Sequence, residues 1–372
     1  MIYFKSFFRR MKVKSAFYFS LIPGLIFGLC FKDLFHGISF IAISTVLLYL
    51  LAYLLNQYDL KKETGIVCKI CGFDNCTYFY PGRKKGTKVE GDMACSSFDH
   101  GFHPEISYCP NCKNGFLKYL GTDSFETQTK RGEELYSDVI DEEYIKNLDA
   151  RLLTNSKIVT KYKQYFEDKN VLEVGAYYGA FCNEVIKVTD EYTAIEPSRH
   201  ACEYLNKKYD NVEVFNGTLE NYLGQDGSDE NLEKFDTIVL FDVIEHVPDP
   251  IKTLKNINKI LKEDGIVLFS TINIESTFSM LLGPFWPWYM DMHYYYFSDR
   301  GYVDMLHRSG YIQKNHHHYS YYVYFSYFLK KVFYILFGTH KLIDKIGKHL
   351  RFPIKIALGD TVMIVGKKRT TS

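Results

Sequence analysis

Short apolar runs alternate with amphipathic stretches from about Asn155 onward, the pattern of a doubly wound α/β sheet. Strands are expected at NVLEVG (170–175), EYTAIE (191–196), NVEVF (211–215), FDTIVLF (235–241) and GIVLFS (265–270), with helices between them. The helix after Pro250 has the plainest period. Ile251, Leu254, Ile257 and Leu261 recur at helical spacing, while Lys255, Lys259 and Lys262 face outward. Asp249 is its expected N-cap and Pro250 opens its first turn.

The N-terminal pattern is different. Residues 15–31 and 34–58 carry no charged side chain, and the second stretch includes ISFIAISTVLLYLLAYLL. At about 1.5 Å of rise per residue the second stretch can cross a hydrocarbon core of about 30 Å, while the first is marginal. The expectation is a membrane-anchoring helical hairpin over residues 1–62. Lys5, Arg9, Arg10, Lys12 and Lys14 precede it and Lys61 and Lys62 follow, so the positive-inside bias puts both ends in the cytoplasm. Pro23 and Gly24 weaken the first helix, leaving a single span or a shallow re-entrant segment as the alternative. A cleaved signal peptide fits poorly, since no small-residue cleavage site follows Phe31 and the second apolar run would remain.

Another apolar and aromatic stretch, SYYVYFSYFLKKVFYILFG, is interrupted by Lys330 and Lys331, and basic residues continue to Arg351. Burying those lysines at a bilayer midplane would cost ~2.5–3.5 kcal/mol each, so an interfacial helical insertion at about 324–351 is expected rather than a span. The three histidines His316–His318 sit in an alternating stretch. Neighbouring side chains there point to opposite faces, which argues against a shared metal.

Composition changes this picture in two places. With 45 basic and 44 acidic residues the formal net charge is +1, which provides no field for a nucleic-acid partner. The nine cysteines include CKIC (68–71) and CPNC (109–112), two CxxC knuckles that can bring four thiolates onto one tetrahedral zinc. Cys68, Cys71, Cys109 and Cys112 are therefore the expected ligands of a zinc-ribbon-like module over residues 63–125. The zinc would be structural, because four thiolates leave no open position. Cys76 and Cys95 are left outside that set.

Candidate chemistry centres on VLEVGAYYGAF (171–181), a strand feeding a glycine turn and a helix, where a doubly wound fold binds ligands. Gly175 and Gly179 allow close backbone approach. Glu196 ends the next strand, where a carboxylate can accept bonds from both hydroxyls of a ribose. In order and spacing, VLEVGAYYGAF, AIEPS, FNGTLEN and FDTIVLFDVIEHVPDP resemble the successive motifs of class I S-adenosylmethionine-dependent methyltransferases. EHVPDP is similar to small-molecule methyltransferases of the ubiquinone-biosynthesis type. The cysteine module followed by YSDVIDEEY (136–144) resembles a zinc-ribbon-bearing branch.

The resemblance implies a Rossmann-like methyltransferase domain over residues 126–372, closed by a strand at LGDTVMIVGKK, with S-adenosylmethionine as cofactor. It implies that Glu173, Gly175, Ala176, Tyr177 and Gly179 surround the amino-acid part of the cofactor and that Glu196 and Pro197 hold the ribose. Gly217, Thr218 and Leu219 would border the adenine, and Phe241 and Asp242 would line the pocket. Tyr177 stands where the family's loop has its middle glycine, so the turn must take a form tolerable to a Cβ. An NAD-linked oxidoreductase would need glycines at 177 and 180, where Tyr177 and Ala180 stand.

If the acceptor is a hydroxyl, His246 and His293 are the candidate bases. His293 lies in WPWYMDMHYYYFS, where the family usually builds its acceptor pocket. Asp242, Glu245 and His246 are weighed as a divalent-ion set against a plain solvated helix start. The expectation is a membrane-attached enzyme with a cytoplasmic catalytic domain, acting on a small-molecule or lipid-linked acceptor such as a sugar, an isoprenoid or a quinone precursor. A noncatalytic membrane scaffold that retains the fold is the alternative, suggested by Tyr177. Protein partners are not legible.

Overall fold

A computed structural model of the chain describes residues 65–82, 103–118, 134, 136–225, 234–337, 339 and 341–369. The expected hairpin over 1–62, most of the basic loop PGRKKG (81–86) and Cys95 lie outside the described residues. Among the described residues, no helix is long and apolar enough to cross a membrane.

The chain first forms a small module from β1 (Thr77–Tyr80), β2 (Ile106–Tyr108) and β3 (Gly115–Leu117). Helices α1 (Glu142–Lys146) and α2 (Leu148–Lys161) then lead into alternating elements. These run β4 (Asn170–Val174), α3 (Cys182–Val185), β5 (Glu191–Glu196), α4 (Arg199–Lys208), β6 (Glu213–Asn216), α5 (Leu219–Gln225), β7 (Phe235–Phe241), α6 (Pro250–Ile260) and β8 (Leu261–Ile272). The remainder comprises α7 (Thr277–Leu282), β9 (Tyr295–Tyr296), α8 (Asp299–Arg308), β10 (Tyr311–His318), β11 (Tyr321–Tyr324), α9 (Phe325–Phe337), α10 (Lys341–Ile346), β12 (Pro353–Ile356) and β13 (Thr361–Lys368).

Seven strands build one sheet in the order β10-β13-β8-β7-β4-β5-β6. Strands β4 to β8 run parallel, and β13 is inserted antiparallel between β8 and β10. All five expected strands are present. The fifth is longer than expected, because β8 is paired on both edges, from Leu261 against Phe235 to Ile272 against Thr361.

Apolar runs form these strands because both faces are covered. Leu172, Ile238, Leu240, Phe269 and Ile364 enter one core, while Val171, Val239, Leu268 and Met363 enter the other. Asp249 caps α6 by accepting from the Lys252 amide at 2.9 Å, as its position foretells. The first core also takes in Cys68, Ile70, Ile106 and Phe116, so the module shares a hydrophobic interior with the sheet.

His316–His318 alternate along β10 as expected. His317 meets the Tyr162 hydroxyl, while the His316 ring lies 5.6 Å from that of Tyr302. Between β10 and β13, β11 and β12 form an antiparallel pair carrying α9 and α10. This insertion lies on α2, with the Tyr322 amide donating to Thr154 Oγ1 at 2.8 Å. Lys330 of α9 pairs with Glu143 at 3.4 Å and Asp344 at 3.1 Å.

Strand order reverses between β4 and β7. A ligand crevice in such a sheet opens beyond the carboxyl ends of those two strands.

Candidate active site

Strand β4 ends in a tight turn with Gly175 at φ +82° and Gly179 at φ +72°. A Cβ at Gly175 would stand 2.5 Å from Val243 Cγ2, and one at Gly179 would stand 2.5 Å from Leu205 Cδ2. Both backbone conformations favour glycine, and a Cβ at either position would also force its neighbour to shift. Tyr177 between them also has a left-handed backbone, at φ +47°. The turn therefore keeps a glycine-like form despite the Cβ, and its surroundings hold it there. The Tyr177 amide donates to Glu196 Oε2 at 2.7 Å, its hydroxyl donates to Asp141 Oδ2 at 3.0 Å, and the rings of Tyr144 and Tyr178 meet it edge-on.

Glu196, at the end of β5, is buried, and its Oε1 accepts from the Ser198 amide at 2.8 Å. Desolvation pushes its carboxyl up to about 7, opposed by the two backbone N–H bonds. A carboxylate has about four lone-pair sites, so two remain after those bonds for a pair of hydroxyls. Pro197 follows, its carbonyl accepting from Asn216 Nδ2 at 3.1 Å. Glu173 lies inside the sheet layer, bonded by the Tyr192 hydroxyl. Burial and the nearby Glu196 raise it to about 8, net of the Tyr192 bond. It backs the turn from within.

At the end of β6, Gly217 donates to the Glu196 carbonyl at 3.0 Å, and Asn221 Oδ1 accepts from the Thr218 amide at 2.8 Å. Leu219 is buried behind them. Phe241 ends β7 half-buried, its ring 4.9 Å from Phe181. Asp242 follows at φ +54°, receiving the Ser270 hydroxyl at 2.7 Å and that of Tyr319 at 3.4 Å. Asp242 is solvent-accessible, yet surrounding protein raises its carboxyl, as for a group on the floor of an open cleft. The expected cofactor residues thus gather along one edge of the sheet.

The turn after β7 carries Glu245 and His246. His246 Nδ1 lies 2.9 Å from the Met292 carbonyl, which assigns the hydrogen to Nδ1 and leaves Nε2 as a lone pair. Desolvation lowers its pKa to about 4, so the ring is neutral at physiological pH. His293 Nδ1 lies 2.9 Å from the Trp288 carbonyl, which orients that ring in the same way. The two rings meet edge-on at 4.7 Å, and a ligand atom from each lies within 4.8 Å of one from Glu245. Glu245 is fully buried, its Oε2 has no hydrogen-bond partner, and desolvation holds its carboxyl far above the usual range.

The divalent-ion set weighed from the sequence was Asp242, Glu245 and His246. The group that converges instead has His293 in place of Asp242, because Ser270 and Tyr319 draw the Asp242 carboxylate aside.

Three residues near the site were not assigned roles from the sequence. Tyr136 reaches His246 Nδ1 at 3.2 Å, and Asp141 receives Tyr177; both lie in YSDVIDEEY, which had marked the segment without giving their tasks. Asp360, buried just before β13, receives the indole N–H groups of Trp286 at 3.1 Å and Trp288 at 2.9 Å. No local signal announces it.

The four cysteines of the module also converge. Cys68 and Cys112 Sγ are 3.6 Å apart and Cys71 and Cys109 Sγ 3.5 Å apart, with all four sulfurs within 4.8 Å. Tetrahedral zinc with bonds of about 2.3 Å requires sulfur edges of about 3.8 Å, so the donor set fits. Asn111 Nδ2 donates to Cys71 Sγ at 3.4 Å, the kind of outer bond that orients a ligand. Cys76 is buried beside them but outside the set.

Residues 140–312 match a family described as "Methyltransferase domain". The chain is 30% identical over 109 residues to a ubiquinone biosynthesis O-methyltransferase of Actinobacillus pleuropneumoniae, covering 28% of this chain and 46% of that one. The Haemophilus ducreyi enzyme of the same name is 44% identical over 43 residues, 12% of this chain and 18% of that one. Among the first curated relatives the chain spans about half their length. A SAM-dependent methyltransferase structure from Archaeoglobus fulgidus is 15% identical, with 59% of this chain and 94% of that one covered at a TM-score of 0.40.

Proposed function

We propose that the methyltransferase domain matched over residues 140–312 is of the class I S-adenosylmethionine-dependent kind and transfers the methyl group to a hydroxyl of a small-molecule acceptor. The observation that carries the proposal is a placement: Gly175, Tyr177, Gly179 and Glu196 follow or end β4 and β5, and Glu245, His246 and His293 gather beyond the end of β7, the strand paired with β4. We read the first group as the donor side and the second as the acceptor side.

S-adenosylmethionine supplies a methyl group already activated on a sulfonium. The chain's own residues then have three tasks. Backbone at the glycine turn and the carboxylate of Glu196 hold the donor and fix its direction. Positioning of this kind can be worth ~7–11 kcal/mol of barrier. The oriented Nε2 of His246 or His293 accepts the proton of the acceptor hydroxyl as its oxygen bonds the methyl carbon and the carbon–sulfur pair leaves with sulfur. Such a base contributes about 10²–10⁴-fold. Burial of the wall around Trp286, Tyr289 and Tyr296 keeps water out.

Oxygen as the acceptor atom is proposed from the relatives' names and from the pair of imidazoles, His246 and His293. Attachment to the cytoplasmic face of a membrane is proposed from the apolar runs before residue 62 and the aromatic insertion at 324–351, and a lipid-linked or quinone-like acceptor follows from that location. Membrane extracts incubated with the protein and methyl-labelled S-adenosylmethionine test the reading. Label is expected in an extractable small molecule or lipid. Label appearing only in protein or nucleic acid would overturn it.

A further inference from the structure

We propose that the cysteine module is one wall of the acceptor pocket, and that metal on its four thiolates holds the segment 286–298 in place. The inference rests on the reading above, in which that segment and the turn after β7 form the acceptor side.

The module is stitched into this segment. Its sheet has four strands in the order β1-β2-β3-β9, so the outermost strand belongs to the catalytic domain. Phe116 pairs with Tyr295 and Gly115 with Tyr296, and the Leu117 amide donates to the Tyr294 carbonyl at 3.0 Å. The same stretch is bonded on its other side to the candidate acid–base group: the Tyr294 and Tyr295 amides donate to the Glu245 carbonyl at 2.8 and 3.2 Å. A two-residue strand has little pairing of its own. Held between the module and Glu245, it has backbone partners on both sides.

The metal knuckle carries a second seam. Ser298, at the end of the segment, donates its hydroxyl to the carbonyl of the ligand Cys112 and accepts from the Gly301 amide at 2.8 Å, capping α8. Its own amide donates to Asn114 Oδ1 at 2.8 Å, two residues past the knuckle. Arg308 of α8 donates to the Ile70 carbonyl between the first two ligands. The rings of Tyr80 and His103 pack on Tyr289, each 5.4 Å away. Releasing the metal frees both knuckles, and with them the partners of Ser298, Tyr294 and Tyr295. The donor turn has its own supports: the Gly175 amide donates to the Ile195 carbonyl of β5 at 2.8 Å, and Tyr177 is bonded to Glu196 and Asp141. Metal loss therefore loosens the acceptor wall and leaves the donor seat intact.

The chain holds two tryptophans, Trp286 and Trp288, and both lie in this wall with their indoles on Asp360. Tryptophan emission of the full-length protein thus reports on the wall alone. Metal content, emission and calorimetric binding of S-adenosylmethionine are measured on wild type before and after chelation, on chelated protein resupplied with zinc, and on Cys109→Ser and Ser298→Ala. Expected is a red shift on chelation and in Cys109→Ser, reversed by zinc in the chelated wild type, with cofactor Kd unchanged to within about twofold throughout. Ser298→Ala is expected to keep its metal and still shift. Emission indifferent to metal overturns the inference, as does a shift that comes only with loss of cofactor binding, since the module would then be a support of the whole fold. Wild-type protein that binds no cofactor at all would instead sink the functional reading on which this one stands.

Discussion

Glu196 is bonded by two backbone amides, yet burial keeps its pKa near 7, so its charge changes within the physiological range. Between about 4.5 and about 7 the folded protein binds a proton that the unfolded chain has released. Stability of the ligand-free protein should therefore fall as pH rises through that window and level off above it. Glu173, raised to about 8, acts with the same sign over a slightly wider range. Ribose hydroxyls need the ionised carboxylate as acceptor, so cofactor affinity should move the opposite way and increase as pH climbs through about 7. Calorimetry at several pH values checks both the slope and its loss in Glu196→Gln, where affinity should drop about tenfold as a charged acceptor becomes a neutral one.

Gly175 makes a steric prediction. At φ +82° and with Val243 Cγ2 2.5 Å from any Cβ, Gly175→Ala should cost ~1–3 kcal/mol, read as a lower denaturant midpoint. His246 and His293 make a chemical one. Each is oriented through Nδ1 by a carbonyl, and replacing the one that acts as base by alanine should lower kcat about 10²–10⁴-fold with cofactor Kd kept. Wild-type activity in both alanine variants would remove imidazole from the reaction.

At the scale of elements, the legibility of the sequence depended on burial. FDTIVLF was readable as a strand because Val239 faces one core while Ile238 and Leu240 face the other, which leaves a nearly unbroken apolar run. The helix at Pro250–Ile260 was readable because one face is buried and one is wet. Glycine positions and the Glu196 carboxylate were readable because backbone conformation and position at a strand end restrict the residue type. What could not be read is contact between segments distant in sequence. His246 and His293 are brought together by bonds to the Met292 and Trp288 carbonyls, and no period in WPWYMDMHYYYFS announces them. Strand β9 is two residues long and exists because β3 is beside it, and Asp360 is recruited by two indoles more than seventy positions earlier. The left-handed form of Tyr177 is likewise a tertiary effect, imposed by Glu196 and Asp141 against the residue's own preference.

Across the molecule's described residues, the sheet and the cysteine module share one hydrophobic core, while the β11–β12 insertion rests on α2 through Tyr322 and Thr154 and is tied by Lys330 to Glu143. Lys330, one of the two lysines that break the apolar run of this insertion, is engaged in ion pairs with Glu143 and Asp344. The proposed attachment to a membrane has the apolar runs of residues 15–31 and 34–58 as its main anchor. Removing residues 1–62 should move the protein from the membrane pellet to the supernatant while leaving cofactor affinity unchanged, as fractionation and calorimetry would record. The central claim is that the bend between β4 and α3, with Glu196 beside it, seats S-adenosylmethionine. Calorimetric titration of the cofactor into wild type and Glu196→Ala tests it most directly. Saturable one-to-one binding by wild type, severely weakened in the variant, is the predicted result; no binding by wild type, or the same affinity in both, would contradict it.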